Sequence, residues 1–372
     1  MTNILEKVRS IIEKLELDAV IITDGYNMHY ISGFSGHEGM LLISKTKACL
    51  VTDSRYTEVA GKEAKDFEVI DVAKKKYPEL IRELLAEGTA VSGRKLRVGF
   101  EDKSISYEAY KKYSKGLESE AELIELGKEI EDLRKNKSKE EIECLAKAES
   151  IGDEAFAHIK GYLSEKLKKG LTERDVALEL EVYMRKHGAS GLSFDTIAAS
   201  GVNSSMPHAV PSEKVIERGD FLTMDFGCVY KGYCSDMTRT VFIGAKSDIS
   251  DEQLKVYETV YRAQIESLKL IKPGASCIEV DKCARDIIAQ AGYGDYFGHG
   301  LGHGVGLYIH EEPRFSPRCE DNLTAGVVIT CEPGIYLPGR FGVRIEDMVV
   351  VTEDGYRNLA HSEKELIYIS GF

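Results

Sequence analysis

The chain has 372 residues, of which 43% are hydrophobic and 30% charged, and its formal net charge is −13. This length and composition are typical of a globular protein with about two domains, and the acidic balance argues against a nucleic-acid partner. No apolar run approaches the roughly 18 residues of a membrane span, and the N-terminus has no signal-peptide pattern, so we expect a cytoplasmic protein.

The first part of the chain alternates strand and helix signals. Short apolar runs with strand character lie at 18–23, 39–44, 48–52 and 96–101. Apolar residues with helical spacing lie at 55–65 and 77–88. This alternation predicts an α/β domain.

A polar stretch separates this part from the rest of the chain. Ser138 and Glu141 form an S-x-x-E pattern, which predicts a capping box at the start of a long helix. We therefore place the domain boundary just before it, with a first domain at 1–135 and a second at 136–372.

The second domain contains an internal echo. Segments 170–188 and 274–292 both begin G-x-[ST]-x-x-x-V and end at a glycine. Thr172 and Ser276 are predicted helix N-caps, and the final glycines are predicted to follow the helix C-termini. The echo indicates two halves of the kind helix–helix–strands, related by a pseudo-two-fold axis. The alternative is that the two helices are unrelated and share only common start and stop residues.

Two aspartates lie in the apolar strands that follow the first half. A turn at Lys231-Gly232 would place Asp225 opposite Thr238 and put Asp225 and Asp236 on one sheet face, about 7–8 Å apart at Cα. A loop one residue longer would turn one of them to the other face. Two carboxylates in apolar strands are costly unless a cation or a hydrogen-bond donor is present.

The same pattern recurs near the C-terminus. A turn centred near Gly339–Arg340 would place Glu332 close to opposite Glu346. Asp347 would then point to the other face and is a weaker candidate. The chain thus predicts two hairpins, each with a pair of acids.

The stretch "GHGLGHGVGLYIHEEP" supplies three histidines, His299, His303 and His310. Four carboxylates with one imidazole form an oxygen-rich site that prefers hard or borderline divalent ions. Mn²⁺ fits best, with Co²⁺, Zn²⁺ or Fe²⁺ as alternatives. The amount of negative charge favours two ions, and a two-metal site can bridge a water molecule and supply hydroxide near neutral pH.

With these residues the sequence resembles the pita-bread metallopeptidases, in the branch that contains aminopeptidase P and prolidase. The resemblance rests on the order and spacing of "MPHAVPSEKVIERGDFLTMDFG", "YCSDMTRT", "GHGLGHGVGLYIHE" and "CEPGIY". It implies an α+β fold in which a creatinase-like α/β N-terminal domain precedes a catalytic domain of duplicated ααββ units. It also implies a homodimer.

The resemblance implies a metal-ligand set as well. Asp225 matches the ligand of one metal, Asp236 and Glu346 match the carboxylates that bridge both metals, and His303 and Glu332 match the ligands of the other. The presence of all five weighs against a non-catalytic relative. It also weighs against creatinase, whose chemistry uses no metal.

Two further histidines and two other residues match family positions. His208 and His310 resemble groups that bind substrate or stabilise the tetrahedral intermediate and move protons. Tyr336 and Arg344 match positions near the site, and we expect Arg344 to orient bridging carboxylates rather than touch substrate. The family pattern does not require His299, which we interpret as a loop histidine.

Three arginines have more than one possible role. Arg55 resembles an arginine that reaches the pocket of a neighbouring subunit, and a surface arginine is the alternative. Arg314 or Arg318 is a candidate to bind a substrate carboxylate.

The implied reaction is hydrolysis of the Xaa-Pro bond at the N-terminus of a peptide, with a metal-bridging hydroxide as nucleophile and Glu332 as proton shuttle. Since no long insertion that would close the pocket is visible, we favour an aminopeptidase P-like substrate range. The alternative is a prolidase restricted to dipeptides. The full N-terminal domain argues against a methionine aminopeptidase, and the intact ligands argue against a metal-free binding protein.

Overall fold

A computed structural model describes residues 4–74, 77–88 and 94–371 of the chain. The chain divides into two units, Met1–Arg134 and Lys135–Phe372. None of the described helices is long and apolar enough to cross a bilayer.

The first unit is a mixed sheet with helices on both faces. Its strands are β1 Ala19–Ile22, β2 Met40–Ser44, β3 Ala48–Thr52, β4 Glu68–Asp71, β5 Leu96–Phe100 and β6 Ala121–Glu125, in the sheet order β4-β3-β2-β1-β5-β6. Its helices are α1 Ile4–Lys14, α2 Gly25–Ser32, α3 Thr57–Glu63, α4 Tyr77–Gly88 and α5 Tyr107–Gly116. The strands and helices predicted from the sequence are confirmed.

Both faces of this sheet are buried. Val20 and Ile22 of β1 pack in one apolar cluster, and Ala19 and Ile21 pack in the other. Because neighbouring side chains of a strand point to opposite faces, an uninterrupted apolar run is what a strand covered on both sides requires. The first unit is therefore the α/β layer structure that the alternation predicted.

The second unit begins with the predicted capping box. The Ser138 side chain accepts a hydrogen bond from the Glu141 backbone, and the Glu141 carboxylate accepts one from the Ser138 backbone. The helices are α6 Lys139–Lys166, α7 Glu173–Lys186, α8 Asp251–Leu268 and α9 Cys277–Gln290. α6 packs on α7, and α8 packs on α9.

The strands of this unit form two larger sheets and two small ribbons. They are β7 Gly191–Leu192, β8 Ile197–Ser200, β9 Phe221–Phe226, β10 Cys228–Tyr230, β11 Tyr233–Cys234, β12 Met237–Ile243, β13 Gly302–Gly304, β14 Glu311–Phe315, β15 Val328–Cys331, β16 Gly334–Leu337, β17 Phe341–Arg344, β18 Asp347–Val351, β19 Tyr356–Asn358 and β20 Tyr368–Ile369. The sheet orders are β20-β12-β9-β8 and β14-β13-β15-β18-β19, with ribbons β11-β10-β7 and β16-β17.

The two halves match as the internal echo predicted. One core contains α6, α7, β9 and β12, and the other contains α8, α9, β15 and β18. Thr172 bridges Val215 in the first half, and Ser276 bridges Asn322 in the second. Thr172 and Ser276 occupy the predicted N-cap positions. The Thr172 side chain caps α7, whereas the Ser276 side chain accepts no hydrogen bond from α9.

The first hairpin has the predicted register. Lys231 and Gly232 both have positive φ, 49° and 86°, as a two-residue type I′ turn requires. Tyr230 lies opposite Tyr233, and Asp225 lies opposite Thr238. In the second hairpin Leu337 lies opposite Phe341 across a turn centred on Gly339.

Candidate metal and active site

The two hairpins direct their acids into one cavity of about 890 Å³ in the second unit. All five predicted metal ligands line this cavity. Five of the other candidate site residues also line it. These ten residues are Asp225, Asp236, His303, Glu332, Glu346, His208, His310, Arg314, Arg318 and Arg344.

The predicted ligands come close enough to share an ion. Ligand atoms of Asp236, His303 and Glu346 lie within 4.8 Å of one another. His303 Nε2 is 3.4 Å from Asp236 Oδ2 and 3.3 Å from Glu332 Oε1. The Nδ1 atom of His303 lies 3.1 Å from the Gly304 carbonyl, so an Nδ1–H that donates there leaves the Nε2 lone pair facing the acids.

Neighbouring donors hold three of the carboxylates in place. Arg344 Nη2 donates to Asp225 Oδ2 at 2.5 Å. Thr238 Oγ1 donates to Glu346 Oε2 at 2.6 Å, and Thr330 Oγ1 donates to Glu332 Oε1 at 3.1 Å. The two threonines were missed by the sequence analysis, because a threonine in a strand carries no signal of its own.

The electrostatics of the cluster favour a cation. Burial raises the pKa of the Asp236 and Glu346 carboxyls well above the ordinary range, and the neighbouring acids raise it further. Burial also raises the pKa of Glu332 to about 8 and lowers that of His303 to about 3. The site therefore holds acids that release protons readily only when positive charge is supplied, and an imidazole that is neutral at pH 7.

The donor set fits divalent metal ions. Asp225 Oδ1 is buried and has no hydrogen-bond partner among the described residues. A buried carboxylate oxygen without a donor is costly unless it binds a cation. Four carboxylates and one imidazole around one cavity supply the hard and borderline ligands that such ions prefer.

One side of the cavity carries groups suited to a substrate. The His310 ring packs edge-on against the His303 ring, with 4.5 Å between centroids. Arg314 Nη2 donates to the His310 carbonyl at 3.3 Å, and Arg314 lies opposite His303 in the pairing of β13 with β14. Burial lowers the pKa of His310, and the nearby Arg314 charge lowers it further.

His299 has a more definite place than a loop histidine. Its Nδ1 lies 2.8 Å from the Gly300 carbonyl and its Nε2 lies 2.9 Å from the Tyr336 hydroxyl. The same hydroxyl accepts a hydrogen bond from Arg344 Nη1 at 2.8 Å. Burial lowers the pKa of His299 to about 4. A chain of hydrogen bonds thus runs from a neutral, cavity-lining imidazole through Tyr336 and Arg344 to Asp225.

The remaining candidates lie apart from these contacts. Arg318 lines the cavity and is exposed. Arg55 belongs to the first unit, where it is exposed and pairs with Asp53 at 2.6 Å, so its cross-subunit role stays a prediction. Asp347 points away from the acids, as predicted, and pairs with Arg239 at 2.8 Å.

Comparison with known proteins identifies matching families over both units. The profile of metallopeptidase family M24 matches residues 143–353, and that of the creatinase/prolidase N-terminal domain matches residues 4–135. The Xaa-Pro dipeptidase of Pyrococcus furiosus is 40% identical over 371 residues, which cover 99% of this chain and 100% of the relative.

Two solved structures illustrate the similarity of fold. The Xaa-Pro dipeptidase from Bacillus anthracis has a TM-score of 0.91 and 41% identity, over 98% of this chain and 99% of that chain. The X-Pro aminopeptidase from Thermotoga maritima has a TM-score of 0.85 and 37% identity, over 96% and 99%.

Proposed function

The chain belongs to metallopeptidase family M24, and from this premise we propose that it is an Xaa-Pro dipeptidase that hydrolyses the bond before a C-terminal proline. The relatives named as dipeptidases support this alternative better than the aminopeptidase P-like range favoured by the sequence. The similar structure from Thermotoga maritima is named an X-Pro aminopeptidase, so cleavage of longer peptides is the rival function to test.

The observation that carries the proposal is the position of Arg314. Its cross-strand partner is His303, so the two side chains share a sheet face, and directly opposed Cβ atoms are about 4.5–5.5 Å apart. A guanidinium so close to the acids can bind a carboxylate one residue beyond the scissile bond. An Xaa-Pro dipeptide has its carboxylate there, whereas a longer peptide has a neutral amide.

Two divalent ions would be held by the four carboxylates and one imidazole that line the cavity, those of Asp225, Asp236, Glu332, Glu346 and His303. When bound, such ions polarise a carbonyl and lower the pKa of water. Mn²⁺ is the ion we propose, because the set is dominated by carboxylates.

The other residues bind the substrate and move protons. His310 is neutral at pH 7, because burial lowers its pKa, and a neutral imidazole can donate an N–H to the developing oxyanion. His208 lies on the exposed wall of the cavity, where it can bind the substrate backbone. The proline nitrogen of an Xaa-Pro bond bears no hydrogen, so it must be protonated to leave, and Glu332 is the group we assign to carry that proton.

Other properties inferred from the resemblance are part of the same proposal. We propose a cytoplasmic homodimer whose substrate is a proline-containing peptide. Arg55 is the residue to test for a contribution to the neighbouring subunit.

The deciding experiment compares kcat/KM for Ala-Pro, Ala-Pro-amide and Ala-Pro-Ala with Mn²⁺ present. We expect a strong preference for Ala-Pro, because only this substrate places a carboxylate beside Arg314. In Arg314→Gln the rate on Ala-Pro should fall roughly 30-fold, equal to about 2 kcal/mol, and the rate on Ala-Pro-amide should change little. Arg318→Gln is the control. Equal rates on Ala-Pro and Ala-Pro-Ala would favour the aminopeptidase, and no hydrolysis of any of the three would refute both.

A further inference from the structure

Glu173, at the first turn of α7, is a fully buried carboxylate with an unusual number of donors. It accepts hydrogen bonds from Ser200 N at 2.7 Å and Ser200 Oγ at 2.9 Å. Ser212 N and Oγ donate to it at 3.1 and 2.6 Å, and Asn203 Nδ2 lies 3.1 Å from both of its oxygens. None of these partners belongs to α7.

Two of these partners flank a segment that forms one wall of the cavity. Ser200 ends β8, and between it and Ser212 lies the stretch 201–211, which we call the wall segment. Its residues Pro207, His208, Ala209, Val210 and Pro211 line the cavity. Glu173 therefore joins both ends of the segment that presents His208.

Few apolar side chains of the wall segment are buried. Val210 is 82% exposed, Met206 51% and Val202 46%. Besides those to Glu173, two hydrogen bonds join the segment to β17. Ser204 Oγ accepts from Gly342 N at 2.8 Å, and the Pro207 carbonyl accepts from Arg344 Nη1 at 3.3 Å. Since hydrophobic packing contributes little here, hydrogen bonds must set the conformation of the segment.

Only a carboxylate satisfies all the partners of Glu173. The backbone N–H groups of Ser200 and Ser212 and the amide Nδ2 of Asn203 can donate but cannot accept. A glutamine of the same shape would turn its own NH₂ toward one of these donors. The negative charge also lies at the start of a helix, where the backbone dipole favours it.

We propose that Glu173 is a positioning residue that sets the wall segment, and with it His208, for substrate binding; this rests on the proposed function. The effect is local, because Glu173 contacts none of the five predicted metal ligands. Loss of the carboxylate should loosen the segment and leave the metal cluster intact.

The test compares Glu173→Gln with Asp175→Asn. Asp175 is in the same first turn of α7 and forms its capping box with Thr172, so its loss weakens the same helix end without touching the wall segment. We expect Glu173→Gln to raise KM for Ala-Pro on the order of tenfold, to lower kcat, and to bind the normal amount of Mn²⁺. Asp175→Asn should leave KM unchanged.

Hydrogen exchange of residues 201–211 gives a readout that does not depend on activity. It should accelerate in Glu173→Gln and not in Asp175→Asn, even if the wild-type enzyme proves inactive on Ala-Pro and the proposed function fails. If Glu173→Gln does not fold, Ser212→Ala tests the same idea, because it removes one donor to Glu173 and should raise KM. Ser212→Thr keeps the hydroxyl and should have the KM of the wild type. Unchanged exchange in the segment, or equal KM in the two Ser212 variants of an active enzyme, would overturn the proposal.

Discussion

Replacement of Thr238 by valine should weaken metal binding without changing the shape of the site. The Thr238 hydroxyl donates to Glu346 Oε2 at 2.6 Å and accepts from Arg344 Nε at 3.1 Å. All three residues are buried. Valine has the same volume and branching, so the strand pairing of Thr238 with Asp225 should persist.

The size of the effect follows from the first of these contacts. A hydrogen bond to a charged group contributes about 1.5–3 kcal/mol. The Arg344 Nε loses its acceptor both with and without metal, so that cost changes the stability of the protein and not the Kd. Burial and the neighbouring acids raise the pKa of Glu346, so the metal-free site favours the neutral carboxyl, whereas a bound cation favours the carboxylate that the Thr238 hydroxyl stabilises. The loss therefore falls mainly on the metal-bound form. At 1.4 kcal/mol per tenfold, the Kd for Mn²⁺ should rise about 10- to 100-fold.

Isothermal titration calorimetry of the metal-free protein with Mn²⁺ measures this directly. Thr223→Val is the matched control, since Thr223 is buried in the same strand pair. Among the residues that the structure describes, its hydroxyl forms a hydrogen bond with the Thr240 hydroxyl alone, at 3.0 Å. The control should bind Mn²⁺ normally. A Kd for Thr238→Val within threefold of the wild type, in a folded protein, would show that the hydroxyl does not support the ligand.

The other predictions concern the ligands, their protonation and the hydrogen-bond chain. Asp236→Ala and His303→Ala should each abolish hydrolysis of Ala-Pro while circular dichroism shows a folded chain. Activity at the wild-type level in either variant would contradict the metal assignment. Burial raises the pKa of Glu332 to about 8, so the metal-free native state holds a proton that the unfolded chain releases, and stability falls as the pH rises from about 4.5 to 8. Above pH 6.5 His303 contributes no opposing slope, because its pKa is lowered to about 3 and both states are neutral. Urea unfolding of the metal-free wild type should therefore show stability falling between pH 6.5 and 8, with Glu332 alone contributing up to about 1.4 kcal/mol per pH unit, and the fall should be smaller in Glu332→Gln. Tyr336→Phe removes the acceptor of Arg344 Nη1 and should lower kcat about tenfold with the Mn²⁺ content unchanged, measured by metal analysis beside the assay.

The hairpins show how far a sequence can specify a site. Side chains alternate strictly along a strand, so once the turn at Lys231-Gly232 is placed, the face of every residue follows by counting. The pairing of Asp225 with Thr238 is the result of that count. The second turn works in the same way: the register that pairs Gly334 with Arg344 places Glu332 opposite Glu346 when it is extended.

The hydrogen-bond chain behind the acids could not be found by counting. His299 lies in the loop before β13 and Tyr336 lies in β16, and no periodicity relates residues 37 positions apart. The interpretation of His299 as a loop histidine followed from the lack of such a relation. Similarly, Ser276 occupies the N-cap of α9, but only the folded backbone shows that its hydroxyl does not cap the helix.

This difference explains why the sequence predicted the metal chemistry more surely than the substrate. Four of the five predicted metal ligands, the carboxylates, lie in or next to hairpin strands whose register is set by local turns. The groups to which we assign substrate recognition, His208 and Arg314, lie on the wall segment and on β14. The pairing of Arg314 with His303 adjoins a register shift between His303 and Gly304, so a spacing of eleven residues does not reveal that the two side chains face one another. We therefore expect substitutions in the irregular strand β14 and in the exposed wall segment, rather than at the metal ligands, to change the substrate range.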